Sequence, residues 1–385
     1  MAQAPITPAV LAWALGDAGV DAQDLGSLLE TNEVVVRDWL AGKGQPSLAQ
    51  LDGVAKLVRR PRSFFFLPRP PERRPVNTEF RTYQNTVAEP GPETITGIEL
   101  AQRVQKATVW VRARLDESDR VAIPIIGPST TGEAAAATLR DWLAWNVRTQ
   151  TSGELTEAAV TRAFRNALED RHVLVLHLTL DANRTRGFSL ADPVAPLIAV
   201  NTREGYRARL FTYAHELSHL SVGGTAVCAV SNSNRGVEQR CNKIAAALLM
   251  PPDAFARFVK DKFGTDPISS LEQVKTIRNR FKVSLRASAI RAESLGLATK
   301  GLYDRVDAEA EYPPGRRSGT YVPGNERTRP VVRVDEYGRE FVNTLGRAEE
   351  AEILRRRQVA DLLRVSDQEL RQVEQLAFAG AGENT

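Results

Sequence analysis

The chain has 385 residues, 42% of them apolar and 25% charged, with a formal net charge of +4. That length predicts two or three domains, and the apolar share is enough to bury a real core, which excludes a disordered chain. No run approaches the ~18–20 consecutive apolar residues of a membrane span, and the two cysteines cannot build a disulfide framework. The first residues lack a basic stretch and Asp17 interrupts their apolar part, so no secretory signal is expected. A cytoplasmic chain with no membrane attachment is the resulting expectation.

Residues 7–60 read as four short helices, at 8–18, 22–30, 32–40 and 47–58, with Thr7 and Ser47 as N-caps and Pro8 at a first helical position. Leu48, Leu51, Val54, Ala55 and Val58 carry the helical spacing of the last one. Short helices with tight turns describe a helix-turn-helix module. Its recognition helix would offer Asn32 and Arg37 to base edges, with Lys43 and Gln45 near phosphate. Glu33 and Asp38 oppose phosphate, and Val34, Val35 and Val36 leave little polar readout, so DNA binding, in which case a homodimer would serve, and protein docking both stay open. The arginines that follow (Arg59, Arg60, Arg62, Arg69, Arg73, Arg74) read as a solvated linker face more readily than as a phosphate track.

The aromatic and proline-rich residues 64–75 mark a boundary. A long amphipathic helix is expected at 94–118, helices at 132–146 and 155–169, and strands at 173–180 and 196–202. A helix follows from Arg207 to about Leu220, then a polar loop over 231–236 and a helix from Val237 to Met250, stopped by Pro251-Pro252. Two further helices fall within 266–295. Residues 312–330 read as a Pro/Gly/Arg linker, followed by a strand at 331–334 and helices near 339–352, 356–363 and 366–377.

The chemistry concentrates in one motif. Two of the four histidines lie in His215-Glu216-Leu217-Ser218-His219. On a helix, positions four apart differ by about 40° in azimuth, so both imidazoles project from one face. Glu216 lies about 60° round from His219 and can reach a metal-activated water without ligating the ion. Metal-assisted hydrolysis needs two neutral nitrogen ligands and a carboxylate to take the water's proton. A third ligand is required, and Glu238 opens the next helix, with Asn242 and Ala245 on its face and Ile244 and Leu248 in a core stripe. Small residues there let the two helices pack closely, which brings Glu238 towards the histidines. Read without a metal, Glu238 is a carboxylate favoured by the helix dipole.

These residues resemble the ImmA/IrrE metallopeptidases. The resemblance rests on Phe211-Thr212-Tyr213-Ala214 leading into the His-Glu motif, on Glu238-Gln239-Arg240-Cys241-Asn242, on Leu248-Leu249-Met250-Pro251, and on the strand-like Arg186-Gly187-Phe188-Ser189 and Pro196–Asn201 stretches. The front module resembles the XRE-type helix-turn-helix, through Trp39, Gly42, Pro46, Gln50-Leu51 and the Phe-rich tail before Pro70-Pro71. Tyr337-Gly338-Arg339 is similar to the C-terminal piece of such fusions.

The resemblance implies a multidomain, mainly α fold with a small β-sheet. It comprises a helix-turn-helix bundle at 1–75, a helical connector at 76–130, a zincin-like α+β metallopeptidase domain at 131–300, a linker at 301–330 and a small C-terminal helical domain at 331–385. It implies a gluzincin-like endopeptidase with His215, His219 and Glu238 as ligands, Glu216 as general base, Asn242 standing behind the ligands, and zinc as the metal, with manganese as the alternative. Relatives cleave XRE-type repressors and so derepress stress-response or prophage genes; an XRE-type repressor is the expected protein substrate. Its peptide is expected to lie extended along the 196–202 strand by edge addition. The rival is a DNA-binding transcription regulator whose metal fold senses without turnover. Cys241, where the family commonly has alanine, reads as a small core residue, Tyr213 as core, and His172 and His177 as structural.

Overall fold

The computed structural model describes residues 4–18, 20–29, 31–58, 62–70, 91–181, 185–223, 234–309 and 327–379. Cys228, most of the arginine run, the 231–233 part of the polar loop and most of the 312–330 linker lie outside the described residues. Two compact units form, the first holding the N-terminal helices and the second running from Gly97 onward. No helix among the described residues is long and apolar enough to cross a membrane.

The first unit contains α1 (Pro8–Ala18), α2 (Ala22–Leu28), α3 (Glu33–Leu40), α4 (Leu48–Leu57) and a 3-10 turn at Arg62–Phe66. Leu11, Leu25, Val36, Trp39, Leu51, Val54 and Phe65 close its core. Ser47 caps α4 reciprocally with Gln50: its hydroxyl accepts from the Gln50 N–H while the Gln50 side chain accepts from the Ser47 N–H. The Thr7 hydroxyl instead donates to the Leu67 carbonyl at 2.7 Å, tying the end of the module to its start.

The second unit begins in α5 (Pro92–Arg114) and continues through α6 (Gly132–Leu143), α7 (Val147–Thr151), α8 (Glu157–Glu169), β1 (Leu174–Leu178), β2 (Gly187–Leu190), β3 (Leu197–Asn201), α9 (Tyr206–Val222), α10 (Asn234–Leu249), α11 (Pro252–Phe263), α12 (Leu271–Phe281), α13 (Leu285–Ser294) and α14 (Leu302–Glu309). It ends with α15 (Arg329–Tyr337), α16 (Arg339–Glu350), α17 (Arg356–Leu363) and α18 (Asp367–Ala379). The sheet order is β1-β3-β2, with β3 parallel to β1 and antiparallel to β2. Strand β3 is therefore central, and the expected edge addition along 196–202 is overturned, because both its sides are already hydrogen-bonded.

Both faces of the sheet are covered, which is why its strands read as nearly unbroken apolar runs. Val175, Ile198 and Val200 enter one core with Phe164 of α8, Tyr213 and Leu217 of α9 and Ile244 and Leu248 of α10. Leu174, Leu176, Leu178, Leu197 and Phe188 enter the other, with Ala101 and Val104 of α5 and Phe341, Leu345, Leu363 and Leu370 of α16–α18. The connector and the tail thus share a core with the sheet, whose second apolar face requires cover.

Two local expectations change. Residues 331–334 are helical, inside α15, because Pro330 occupies its first turn with φ already set for a helix. The β-branched valines that suggest a strand yield to packing against α18 and β1. Pro251-Pro252 stops α10 and also starts α11, with proline in the first turn. The end of α10 is held by partners for its last carbonyls: Arg140 donates to Ala247, Gln150 to Leu249 and Arg291 to Met250, at 2.8, 2.9 and 3.0 Å.

A buried polar seam joins the tail to the sheet. The Arg165 Nη2 donates to the carbonyls of Val175 and Asp335, at 2.8 and 2.9 Å, and its Nη1 lies 3.2 Å from Asp335 Oδ1. His177 Nδ1 lies 3.0 Å from the same oxygen. Burial, then the Arg165 charge, pushes the His177 pKa down to about 4, so the ring is neutral at pH 7. An unfolded histidine titrates near 6.5. Between those values only the unfolded chain holds the extra proton, so stability drops as the pH falls through that window, by about 3 kcal/mol in total. Urea titrations from pH 6.5 to 4 are expected to show this decline, and His177→Gln to flatten it; an equal slope in the variant would contradict the assignment.

Candidate metal centre

Helix α9 presents His215 and His219 towards α10, where Glu238 stands in the first turns. The two Nε2 atoms lie 3.0 Å apart. Glu238 Oε2 is 3.3 Å from His215 Nε2, and its Oε1 is 3.0 Å from His219 Nε2. His215 is fully buried, His219 and Glu238 partly so. The imidazoles meet edge to face, at 72° with centroids 4.7 Å apart.

Ligand atoms about 2.0–2.1 Å from a tetrahedral ion lie about 3.3 Å from one another; the observed separations are 3.0–3.3 Å, with Glu238 offering a different oxygen to each imidazole. Burial works against the Glu238 carboxylate, yet the hydrogen bonds from His215 and His219 hold it well below the usual carboxylate range. Burial likewise works against charge on His219, but the Cys241 thiol and Glu238 raise its pKa well above the ordinary value. Two nitrogen donors and one carboxylate share protons in a small buried space, where a divalent cation can take the protons' place.

Glu216 is 2% exposed, and Oε2 of its carboxylate accepts a 3.0 Å hydrogen bond from the Ser189 hydroxyl. Ser189 lies on β2, an outer strand of the sheet. Gly187 on the same strand makes this approach feasible. A Cβ there would lie 2.6 Å from Thr212 Cγ2 and 2.7 Å from the Ala199 carbonyl oxygen, so any larger residue would push α9 off the sheet. The sequence carried no signal for the Ser189 contact, because the pairing of β2 with β3 is what delivers it.

Of the other residues that the sequence singles out around the motif, only Asn242 is expected beside the donors. Asn242, one turn beyond Glu238, is half-buried, and among the described residues no hydrogen bond joins it to the donors. Cys241 is fully buried in α10, with its thiol hydrogen-bonded to His219, and Tyr213 is fully buried with its hydroxyl against His177. His177 is buried, more deeply than a half-buried strand position. His172 lies in the turn before β1, at φ 61°, with Nδ1 3.2 Å from Glu340 Oε1.

In the first unit, the residues read for DNA contact are largely engaged. Asn32 caps α3 by accepting from the Val34 N–H at 2.9 Å. Arg37 donates to Glu33 one turn earlier, and the Gln45 side chain accepts from the Ile6 N–H at 3.0 Å. Lys43 is exposed. Between these, Val34 is 61% exposed, so the outer surface of α3 is apolar as well as charged.

No curated protein matches the chain. A family model does match part of it: residues 168–293, which carry the three strands, α9, α10 and every donor of the metal group, match the IrrE N-terminal-like domain of the M78 peptidases.

Proposed function

We propose that this chain is a metal-dependent endopeptidase with a regulatory role. The observation that carries the reading is the convergence of His215, His219 and Glu238 at ligand spacing, beside the buried Glu216, within the stretch that matches a peptidase domain. Zinc suits two imidazoles and a carboxylate, and manganese is the alternative. A divalent cation held there would polarise a water and the scissile carbonyl. Glu216 takes the attacking water's proton and returns it to the leaving amine. The Ser189 hydroxyl fixes the rotation of that carboxylate. The substrate lies extended along β2, whose position at the side of the sheet suits strand addition. An XRE-type repressor in the cytoplasm is the proposed substrate.

The rival reading, a DNA-binding regulator that senses metal without turnover, has less support. Asn32, Arg37 and Gln45 are engaged within their own module, which favours docking of a protein by α1–α4.

The test pairs elemental analysis with cleavage of the XRE-type repressors encoded near the gene. About one metal ion per chain is expected, in the wild type and in Glu216→Gln alike. Cleavage should drop about 10²–10⁴-fold in the variant. Cleavage that survives Glu216→Gln would remove Glu216 from its role, and a chain that binds no metal would end the reading.

A further inference from the structure

The side of α9 opposite the metal donors is tied to the tail by three side chains that the proposed reaction does not use. Asp335 comes from α15, His177 from β1 and Tyr213 from α9. His177 Nδ1 lies 3.0 Å from Asp335 Oδ1, and His177 Nε2 is hydrogen-bonded to the Tyr213 hydroxyl. A carboxylate can only accept. Nδ1 also lies 3.2 Å from Arg165 Nη1, but the closer contact, to Asp335, needs the ring proton on Nδ1 and leaves a bare Nε2 to accept from Tyr213. Arg165 grips Asp335 by both its side chain and its carbonyl, at 3.2 and 2.9 Å. The chain of bonds has one direction and a fixed far end.

Tyr213 precedes His215 by two positions, about 200° round the helix. Helix α9 is thus held at two nearly opposite sides, by His177 at one and by the approach of Glu238 at the other. Any rotation that carries the imidazoles away from Glu238 also pulls the Tyr213 hydroxyl off His177.

We propose that Asp335, acting through His177 and Tyr213, is a positioning residue for the metal centre, so that the docked tail sets the rotation of α9 and with it the spacing of the three donors. The inference rests on reading His215, His219 and Glu238 as metal ligands. It makes α15 a control point: a protein or small molecule that lifts α15 from β1 loosens the metal site from behind, without entering it.

The experiment uses the full chain and reads metal binding, with no need of a substrate. Zn²⁺ affinity is measured by competition with a chelator, and the visible absorption of the Co²⁺-loaded protein reports the ligand geometry. Tyr213→Phe keeps the ring and removes only the hydroxyl; Asp335→Ala removes the far end. Arg339→Ala serves as the control, since Arg339 bonds Asp170 across the same seam but stands outside the Tyr213–His177–Asp335 chain. Tyr213→Phe and Asp335→Ala are each expected to weaken Zn²⁺ binding about 10- to 100-fold, the usual cost of losing a group that orients a ligand, and to shift the Co²⁺ spectrum. The double variant should be no weaker than the weaker single one, because both cut one chain.

Arg339→Ala should lower the melting temperature and leave affinity and spectrum unchanged. Wild-type affinity in Tyr213→Phe, additive losses in the double variant, or an equal loss in Arg339→Ala would each overturn the proposal while leaving the metal site intact. A wild-type chain that binds neither ion would instead overturn the ligand reading itself.

Discussion

Glu238→Ala and His219→Ala are each expected to leave the purified chain without stoichiometric metal, where the wild type should hold about one ion per chain. Each substitution removes one of three donors whose separations are 3.0–3.3 Å. A two-donor remnant cannot close a tetrahedral site. The loss should exceed the 10- to 100-fold that follows from disturbing a group behind a ligand. Glu238→Ala has a second consequence. It removes a carboxylate that helps raise the His219 pKa, so His219 should titrate closer to an ordinary histidine in the variant, as followed by NMR of the metal-free protein. Elemental analysis and chelator competition check the first outcome. Retention of one tightly bound ion in Glu238→Ala would show that another group supplies the third donor.

Gly338→Ala should destabilise the second unit by about 3 kcal/mol, from overpacking together with left-handed backbone strain. Gly338 joins α15 to α16 at φ 82°, a conformation that L side chains rarely adopt. An added Cβ would also lie 2.6 Å from the Val175 carbonyl oxygen and in collision with Glu169 Oε1. The carbonyl belongs to β1, an outer strand, and already accepts from Arg165 at 2.8 Å. Glu169 cannot swing away freely either, because it accepts from the Arg339 N–H at 2.9 Å and pairs with Arg165. Neither neighbour can give way at low cost, so α15 and α16 must separate from the sheet. Urea denaturation checks this, and a change smaller than about 0.5 kcal/mol, the range of ordinary surface substitutions, would show that the junction relaxes. If the tail positions α9, the same variant should also weaken Zn²⁺ binding.

Much of the site's geometry is legible in the amino-acid sequence. His215 and His219 share a face because a helix has 3.6 residues per turn, and that relation survives whatever α9 packs against. Glu238 can be placed near them because Ile244 and Leu248 mark the side of α10 that enters the core, and Ala245, on the face of Glu238, lets the two helices pack closely. The capped start of α4 is equally readable, since Ser47 and Gln50 bond within three residues of each other. In each case the deciding interaction lies within a turn or two of the chain, or follows from a periodic pattern that only one face can satisfy.

What stays hidden depends on partners distant in sequence. That β3 lies between β1 and β2, closing the strand expected to receive substrate, follows from pairing among three segments that have nearly the same apolar character. Residues 331–334 are helical because α18 and β1 offer a surface for α15, which outweighs the strand preference of valine. His177 is a lone polar residue in an apolar strand until Asp335, 158 positions later, arrives beside it. Periodicity and capping are local, so residue order suffices to show which side chains can bind a metal and on which helical faces they stand. Which strand is left at the side of the sheet, what holds Glu216 in place and what braces α9 from behind are set later, by contacts that exist only once distant segments share a core.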